Sequence, residues 1–230
     1  MKNTSYVSTS CASSPSLLKG ITLFFAAALF VAMASPTAFG QVQLLDDFNR
    51  ADSNTVGNGW TEVETVATTS AAISSNQLRL GSTTAGREYV VQDVSTKYTT
   101  TLSSNTGAIA WVFQMRQSRP DPSGFDSSNY GLAFVLGHTS SDFTMGNGYA
   151  VVLGQSGGTD AIRLVRFSGG LDLNSKLTTI ISGGDFGAEY LSVKVTYNPS
   201  GNNWSLYISS TAGSFPSIAS VTFTQVGSTT

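Results

Sequence analysis

Leu191-Ser192-Val193-Lys194-Val195-Thr196-Tyr197-Asn198-Pro199, followed by Trp204-Ser205-Leu206-Tyr207-Ile208, decides the fold. Leu191, Val193, Val195 and Tyr197 alternate with Ser192, Lys194 and Thr196. Trp204, Leu206 and Ile208 alternate with Ser205 and Tyr207. A period of two sets successive side chains on opposite faces of an extended chain, and β-branched and aromatic residues favour that conformation. Asn198-Pro199-Ser200-Gly201 supplies the turn between the two runs. Two antiparallel strands, each with one apolar face, are predicted.

The same rhythm extends outward. Ile109, Trp111, Phe113 and Met115 share one face, and Ala110, Val112, Gln114 and Arg116 the other. Leu78 and Leu80 flank Arg79; Tyr130 to Leu136, Tyr149 to Leu153 and Ile162 to Phe167 read as further strands. Turn clusters separate them, among them Asn58-Gly59, Ser123-Gly124, Gly146-Asn147-Gly148, Ser156-Gly157-Gly158, Ser168-Gly169-Gly170 and Gly183-Gly184. No long amphipathic helix competes, and only Leu171–Leu177 suggests short helical turns. Many short strands between turns predict an all-β antiparallel sandwich, here a two-sheet jelly roll with one concave face. Strands with apolar or small residues on both faces are expected to be covered twice or to line a groove.

The N-terminus reads as an export signal. Lys2 and Lys19 precede an apolar run, Ile21 to Ala34, too short to span a membrane, and Ala38-Phe39-Gly40 offers small residues at alternate positions. Residues 1–40 are therefore expected to be a cleaved signal peptide and 41–230 a single secreted domain. All 14 acidic residues and 10 of the 12 basic ones follow position 40, so the chain from Gln41 carries −4. Scattered charges amounting to 11% of the residues exclude an electrostatic nucleic-acid binder. Cys11 falls in the leader, leaving the mature chain without thiol chemistry or disulfides. His138 is the single histidine, with no G-x-S-x-G elbow, and reads as a loop residue.

The hairpin of residues 191–208 resembles the penultimate hairpin of concanavalin A-like (laminin G-like) lectin/glucanase domains. Leu45-Asp46-Asp47-Phe48-Asn49-Arg50 with Gly57-Asn58-Gly59-Trp60 resembles the opening of secreted bacterial, Bacteroidetes-type modules of that superfamily. Tyr149–Gly154 and Ile162–Arg166 fit the same modules, so the likeness spans roughly 44–230. It implies a jelly roll whose first strand, Val42–Phe48, pairs with a last strand near the C-terminus. Gln225–Thr230 reads as turn-like, so the closing strand is expected to be missing and the domain to be truncated, with other domains of a longer chain beyond.

This superfold hosts lectins, hydrolases and adhesion modules, so chemistry must come from the site. Its hydrolases carry E-x-D-x-x-E or E-x-D-x-E on a concave strand. Here there are four Glu, and only Glu62 and Glu64 have strand spacing, without an intervening Asp. They read as solvent-facing residues of an edge strand. A non-catalytic carbohydrate-binding or adhesion module is expected, with a polysaccharide or cell-surface glycan as partner; the alternative is a glycoside hydrolase or polysaccharide lyase. The groove candidates are Gln114, Arg116, Tyr130 and Arg163. Trp60, Trp111 and Trp204 have core parity. Asp121 and Asp126, in one short loop, are the candidate calcium ligands, although solvated turn aspartates explain them better in the absence of D-x-D-x-D-G. No cofactor is otherwise implied.

Overall fold

A computed structural model describes residues 6–9, 41–65, 69–81, 86–102, 107–119, 121–126, 130–155 and 157–229. Of the expected leader, only Tyr6–Thr9 falls within the described residues; the apolar run, the cleavage site and Cys11 lie outside them. In chain order the strands are β1 (Tyr6–Thr9), β2 (Gln41–Leu44), β3 (Thr61–Glu64), β4 (Ala71–Ile73), β5 (Leu78–Leu80), β6 (Glu88–Val91) and β7 (Ile109–Met115). They continue with β8 (Leu132–His138), β9 (Asn147–Leu153), β10 (Ala161–Ser168), β11 (Leu177–Asp185), β12 (Tyr190–Asn198), β13 (Asn203–Thr211) and β14 (Thr224–Ser228). One α-helix, α1 (Ser95–Leu102), and a 3-10 turn at Asn174–Lys176 complete the elements the site depends on.

The strands build an all-β antiparallel sandwich. One sheet has the order β14-β13-β12-β7-β1-β2, the other β11-β10-β9-β8, with two small ribbons, β3–β6 and β4–β5, beside them. The deciding hairpin pairs without a bulge from Tyr190↔Thr211 to Asn198↔Asn203. The apolar parity of β7, β12 and β13 points inward, where Trp111, Phe113, Leu191, Val193, Trp204 and Leu206 meet Val151, Leu153, Ile162 and Leu164 of the second sheet. Phe113 of β7 stacks on Phe134 of β8 with ring centroids 3.7 Å apart, joining the two layers. Trp111 and Trp204 are buried and stacked on each other at 6.0 Å, so they pack as their parity predicted. Helix α1 covers part of the β8 edge: the Tyr98 hydroxyl donates to the Leu136 carbonyl at 2.6 Å and accepts from Trp111 Nε1 at 2.9 Å. A covered edge cannot recruit a foreign strand there.

The outer face of the second sheet is filled. Ala150, Val152, Val165 and Phe167 pack beneath Leu171, with Phe125 and Leu177 laid over them. The double-apolar strands are thus covered on both sides, and the groove expected on this face is occupied by the chain's own loops.

The opening motif forms a third small core. Phe48, Val56, Ala71, Ile73 and Leu78 are buried there, with Trp60 against them. Asp46 is its polar centre. Its Oδ1 accepts from the Phe48 amide at 2.7 Å and Arg50 Nη1 at 2.9 Å; its Oδ2 accepts from Trp60 Nε1 at 2.7 Å, Asn58 Nδ2 at 3.0 Å and Arg50 Nη2 at 3.2 Å. Five donors on one carboxylate explain why Asp46, Arg50, Asn58 and Trp60 occur together. Phe48 and Asn58 hold left-handed backbone, with φ of 53° and 52°, and the network offsets that strain.

Several expectations are corrected. Val42–Phe48 is not one strand: β2 ends at Leu44, because Phe48 turns the chain into the Asp46 network. β2 pairs with β1, at the edge of its sheet opposite β14. The segment Thr224–Ser228 is a strand, paired along β13 from Ile208↔Thr224 to Ser205↔Ser228, because the open edge of β13 satisfies its backbone whatever its small residues prefer. Gly183-Gly184 lies inside β11, where a Cβ on Gly183 would come within 2.8 Å of Ile162 Cγ2; glycine serves close approach there, not a turn. Asn147 and Gly148 open β9, and Gly148 leaves room for the Gly137 carbonyl and the Phe167 ring. His138 ends β8 instead of lying in a loop, stacked on Phe143 at 5.0 Å with Nε2 within 2.8 Å of the Met145 carbonyl. Among the described residues no helix is long and apolar enough to cross a membrane.

Candidate functional site

Antiparallel registers bring one set of strand ends together. In the first sheet Met115 pairs with Leu191 and Tyr190 with Thr211. In the second, Leu153 pairs with Leu132 and Ile162, and Ala161 with Asp185. The four-residue link from Phe186 to Glu189 carries the chain from β11 to β12, so both sheets end at this one rim. The Phe186 amide donates to the Asp160 carbonyl at 3.1 Å, and the Asp160 amide donates to Asp185 Oδ1 at 2.6 Å. Gly154, at φ 115°, lets the Pro122 carbonyl approach, where a Cβ would lie 2.6 Å away, and this seats the 121–126 loop on the same rim.

An open pocket of about 490 Å³ lies there, walled by Arg116, Glu189, Tyr190, Thr211 and the turn at 212–213. Parity places Arg116 just past β7 on the outward side. Its guanidinium lies over the Tyr190 ring at 4.3 Å, its Nε donates to the Ala188 carbonyl at 2.8 Å and its Nη1 to the Tyr190 hydroxyl at 3.0 Å. Phe215 meets Tyr190 edge-on at 4.8 Å. The side chain is fixed by a ring and two bonds, and a guanidinium has five N–H donors, so part of its donor capacity is left for a ligand. Aromatic surface beside oriented planar donors is the composition that polyhydroxylated ligands use.

The other residues read from the sequence are distributed as follows. Gln114 is 1% exposed; its amide donates to Ser192 Oγ at 3.1 Å and the Pro216 carbonyl at 2.8 Å, holding the 212–223 segment onto the sheet. Tyr130 lies on the rim with Arg119 5.0 Å above its ring, and its carbonyl accepts from the Gly124 amide at 3.0 Å. Arg163 reaches Gly154 with Nη2, 2.8 Å from the carbonyl, and burial pushes its pKa below the usual guanidinium value. Asp126 accepts from the Asn174 amide at 3.0 Å and from Asn174 Nδ2 at 2.8 Å, so both its oxygens cap the 3-10 turn. Asp121 stands in left-handed backbone, φ 52°, at the start of that loop. Among the described residues no three His, Cys, Asp or Glu side chains are grouped to hold a metal.

Glu62 and Glu64 are not free surface residues. Glu62 Oε1 accepts from the Val56 amide, and Glu64 Oε1 accepts from the Ala71 amide at 2.7 Å and Ser70 Oγ at 3.1 Å. Glu88 pairs directly across from Glu64 and shares the Ser70 hydroxyl with it. Spacing along one strand could not find this pair, because it forms across β3 and β6. Sequence reading also missed Glu189, Tyr190 and Asp160. Tyr190 and Glu189 precede the deciding hairpin by only one and two residues, but the rim exists only once both sheets end together. No protein-family model, curated protein or solved structure matches the chain.

Proposed function

We propose that the chain is a concanavalin A-like jelly roll that works as an exported, non-catalytic carbohydrate-binding module of a larger cell-surface or secreted protein. The observation that carries this reading is the rim pocket walled by Arg116 stacked on Tyr190. A fixed guanidinium and a tyrosine at the mouth of an open pocket suit hydroxyl-rich ligands. The export leader, the glycan partner and the attachment to further domains belong to this reading.

Affinity electrophoresis against a polysaccharide panel tests it. Arg116→Ala is expected to weaken retardation by about tenfold, the range of one charged hydrogen bond, while circular dichroism stays β-rich. Unchanged retardation across the panel removes the pocket from the reading. Release of reducing ends that disappears in Glu64→Gln or Glu88→Gln would turn the assignment toward a hydrolase built on the β3–β6 ribbon.

A further inference from the structure

We infer that the rim pocket selects an uncharged sugar presenting two neighbouring hydroxyls, and that Arg116 and Glu189 read them as a donor and an acceptor; this rests on the carbohydrate-binding reading above. The pocket walls hold a matched set of unused polar atoms. Arg116 uses Nε on the Ala188 carbonyl and Nη1 on the Tyr190 hydroxyl, and its Nη2 has no partner among the described residues. The Tyr190 hydroxyl accepts that bond and keeps its own proton to donate. Glu189 is exposed on the link between β11 and β12, and its carboxylate has neither a hydrogen-bond donor nor an ion-pair partner among the described residues. Thr211 Oγ1 donates to the Ser214 carbonyl at 3.1 Å or the Tyr190 carbonyl at 3.4 Å and keeps a lone pair to accept with. Ala188, Ala212 and Gly213 complete the walls with side chains too small to fill the space.

One guanidinium and one carboxylate leave these walls without net charge, and among the described residues no ion pair joins the two. Each therefore stays available to a ligand instead of satisfying the other. A sugar hydroxyl both donates and accepts, so of two adjacent hydroxyls one donates to Glu189 while the other accepts from Arg116 Nη2. An ionised sugar fits less well in either sense. A uronate is attracted by Arg116 and repelled by Glu189; an ammonium is attracted by Glu189 and repelled by Arg116. Both ions also surrender more hydration than a hydroxyl does. The pocket is open, and exposed charge pairs offset little of that loss.

Calorimetric titration of the full chain at about pH 6, where carboxylate and amine are both charged, compares two series of tetramers. One comprises glucose, glucosamine and glucuronate, the other galactose, galactosamine and galacturonate. The neutral tetramer of at least one series is expected to bind about tenfold tighter than either ion of that series. Glu189→Gln, on the exposed link, is expected to weaken the neutral tetramer and make the uronate the tightest of its series. Arg116→Gln is expected to weaken the neutral tetramer and make the amine the tightest. A purely structural role for either residue would lower all three members of a series alike, and that result overturns the inference. A wild-type preference for an ion, or equal binding of all three, overturns it and leaves the carbohydrate reading standing. Binding of none of the six overturns it as well, and the polysaccharide panel then decides the carbohydrate reading by itself.

Discussion

Replacing Asp46 with alanine is expected to cost about 3–5 kcal/mol of stability, the penalty for removing one partner of a buried ion pair. Asp46 is 4% exposed and accepts from Phe48, Arg50, Asn58 and Trp60, so its loss strands the Trp60 indole N–H, the Phe48 amide and the Arg50 guanidinium together. Asparagine recovers only part of this, because its single carbonyl cannot serve both sets of donors. Urea unfolding followed by tryptophan fluorescence measures the effect. The same network makes a pH prediction. Burial raises the Asp46 pKa, but Arg50, the Phe48 amide, Asn58 and Trp60 together outweigh it and hold the group below the ordinary carboxylate value. A depressed native pKa contributes stability that is complete above the unfolded value of about 3.9 and lost as pH falls through the native one. Acid titration of the wild type is therefore expected to show a loss that Asp46→Ala lacks. A variant as stable as the parent, with an unchanged acid limb, would mean that the motif is not structural.

The second large effect is expected at Phe113. Its ring is fully buried and stacked on Phe134 at 3.7 Å with an interplanar angle of 7°. Phe113→Ala is expected to cost about 3–5 kcal/mol through lost transfer energy and the cavity left behind. Because the two rings come from different sheets, a double-mutant cycle with Phe134→Ala isolates a contact that exists only if the layers face each other in this register. A coupling of about 0.5–1.5 kcal/mol is expected from chemical denaturation. Strict additivity would contradict the stacking of β7 on β8.

The parts of this architecture that could be read in the sequence are those where side-chain alternation and burial agree. In residues 191–208 every inward position is aliphatic or aromatic and the turn residues stand between the runs, so strand, face and partner follow together. Glycine misleads where it serves packing. Gly183 and Gly148 sit inside strands because neighbours approach too closely for a Cβ, and nothing local distinguishes them from turn glycines. The C-terminal strand is decided by a vacant ladder on β13, a property of the partner and not of Thr224–Ser228. The opening motif was legible as a constellation, but its meaning was not, because Arg50, Asn58 and Trp60 converge on Asp46 only after Phe48 turns the chain.

The rim divides in the same way. Arg116 could be placed by parity alone, and it walls the pocket. Gln114, two residues earlier on the same face, is consumed by Ser192 and Pro216, because a distant segment folds over it. Asp160 follows a glycine-rich turn, and nothing beside it in the sequence marks it as buried, as it is in the fold.

Chemical-shift mapping of the backbone amides during titration with an oligosaccharide of the polysaccharide that most retards the protein tests the assignment of the rim most directly. Shifts centred on Arg116, residues 186–190 and residues 211–217 are the expected result. Shifts clustered at the opposite end of the sandwich, around His138, Asn147, Ser168 and Asn203, would contradict it.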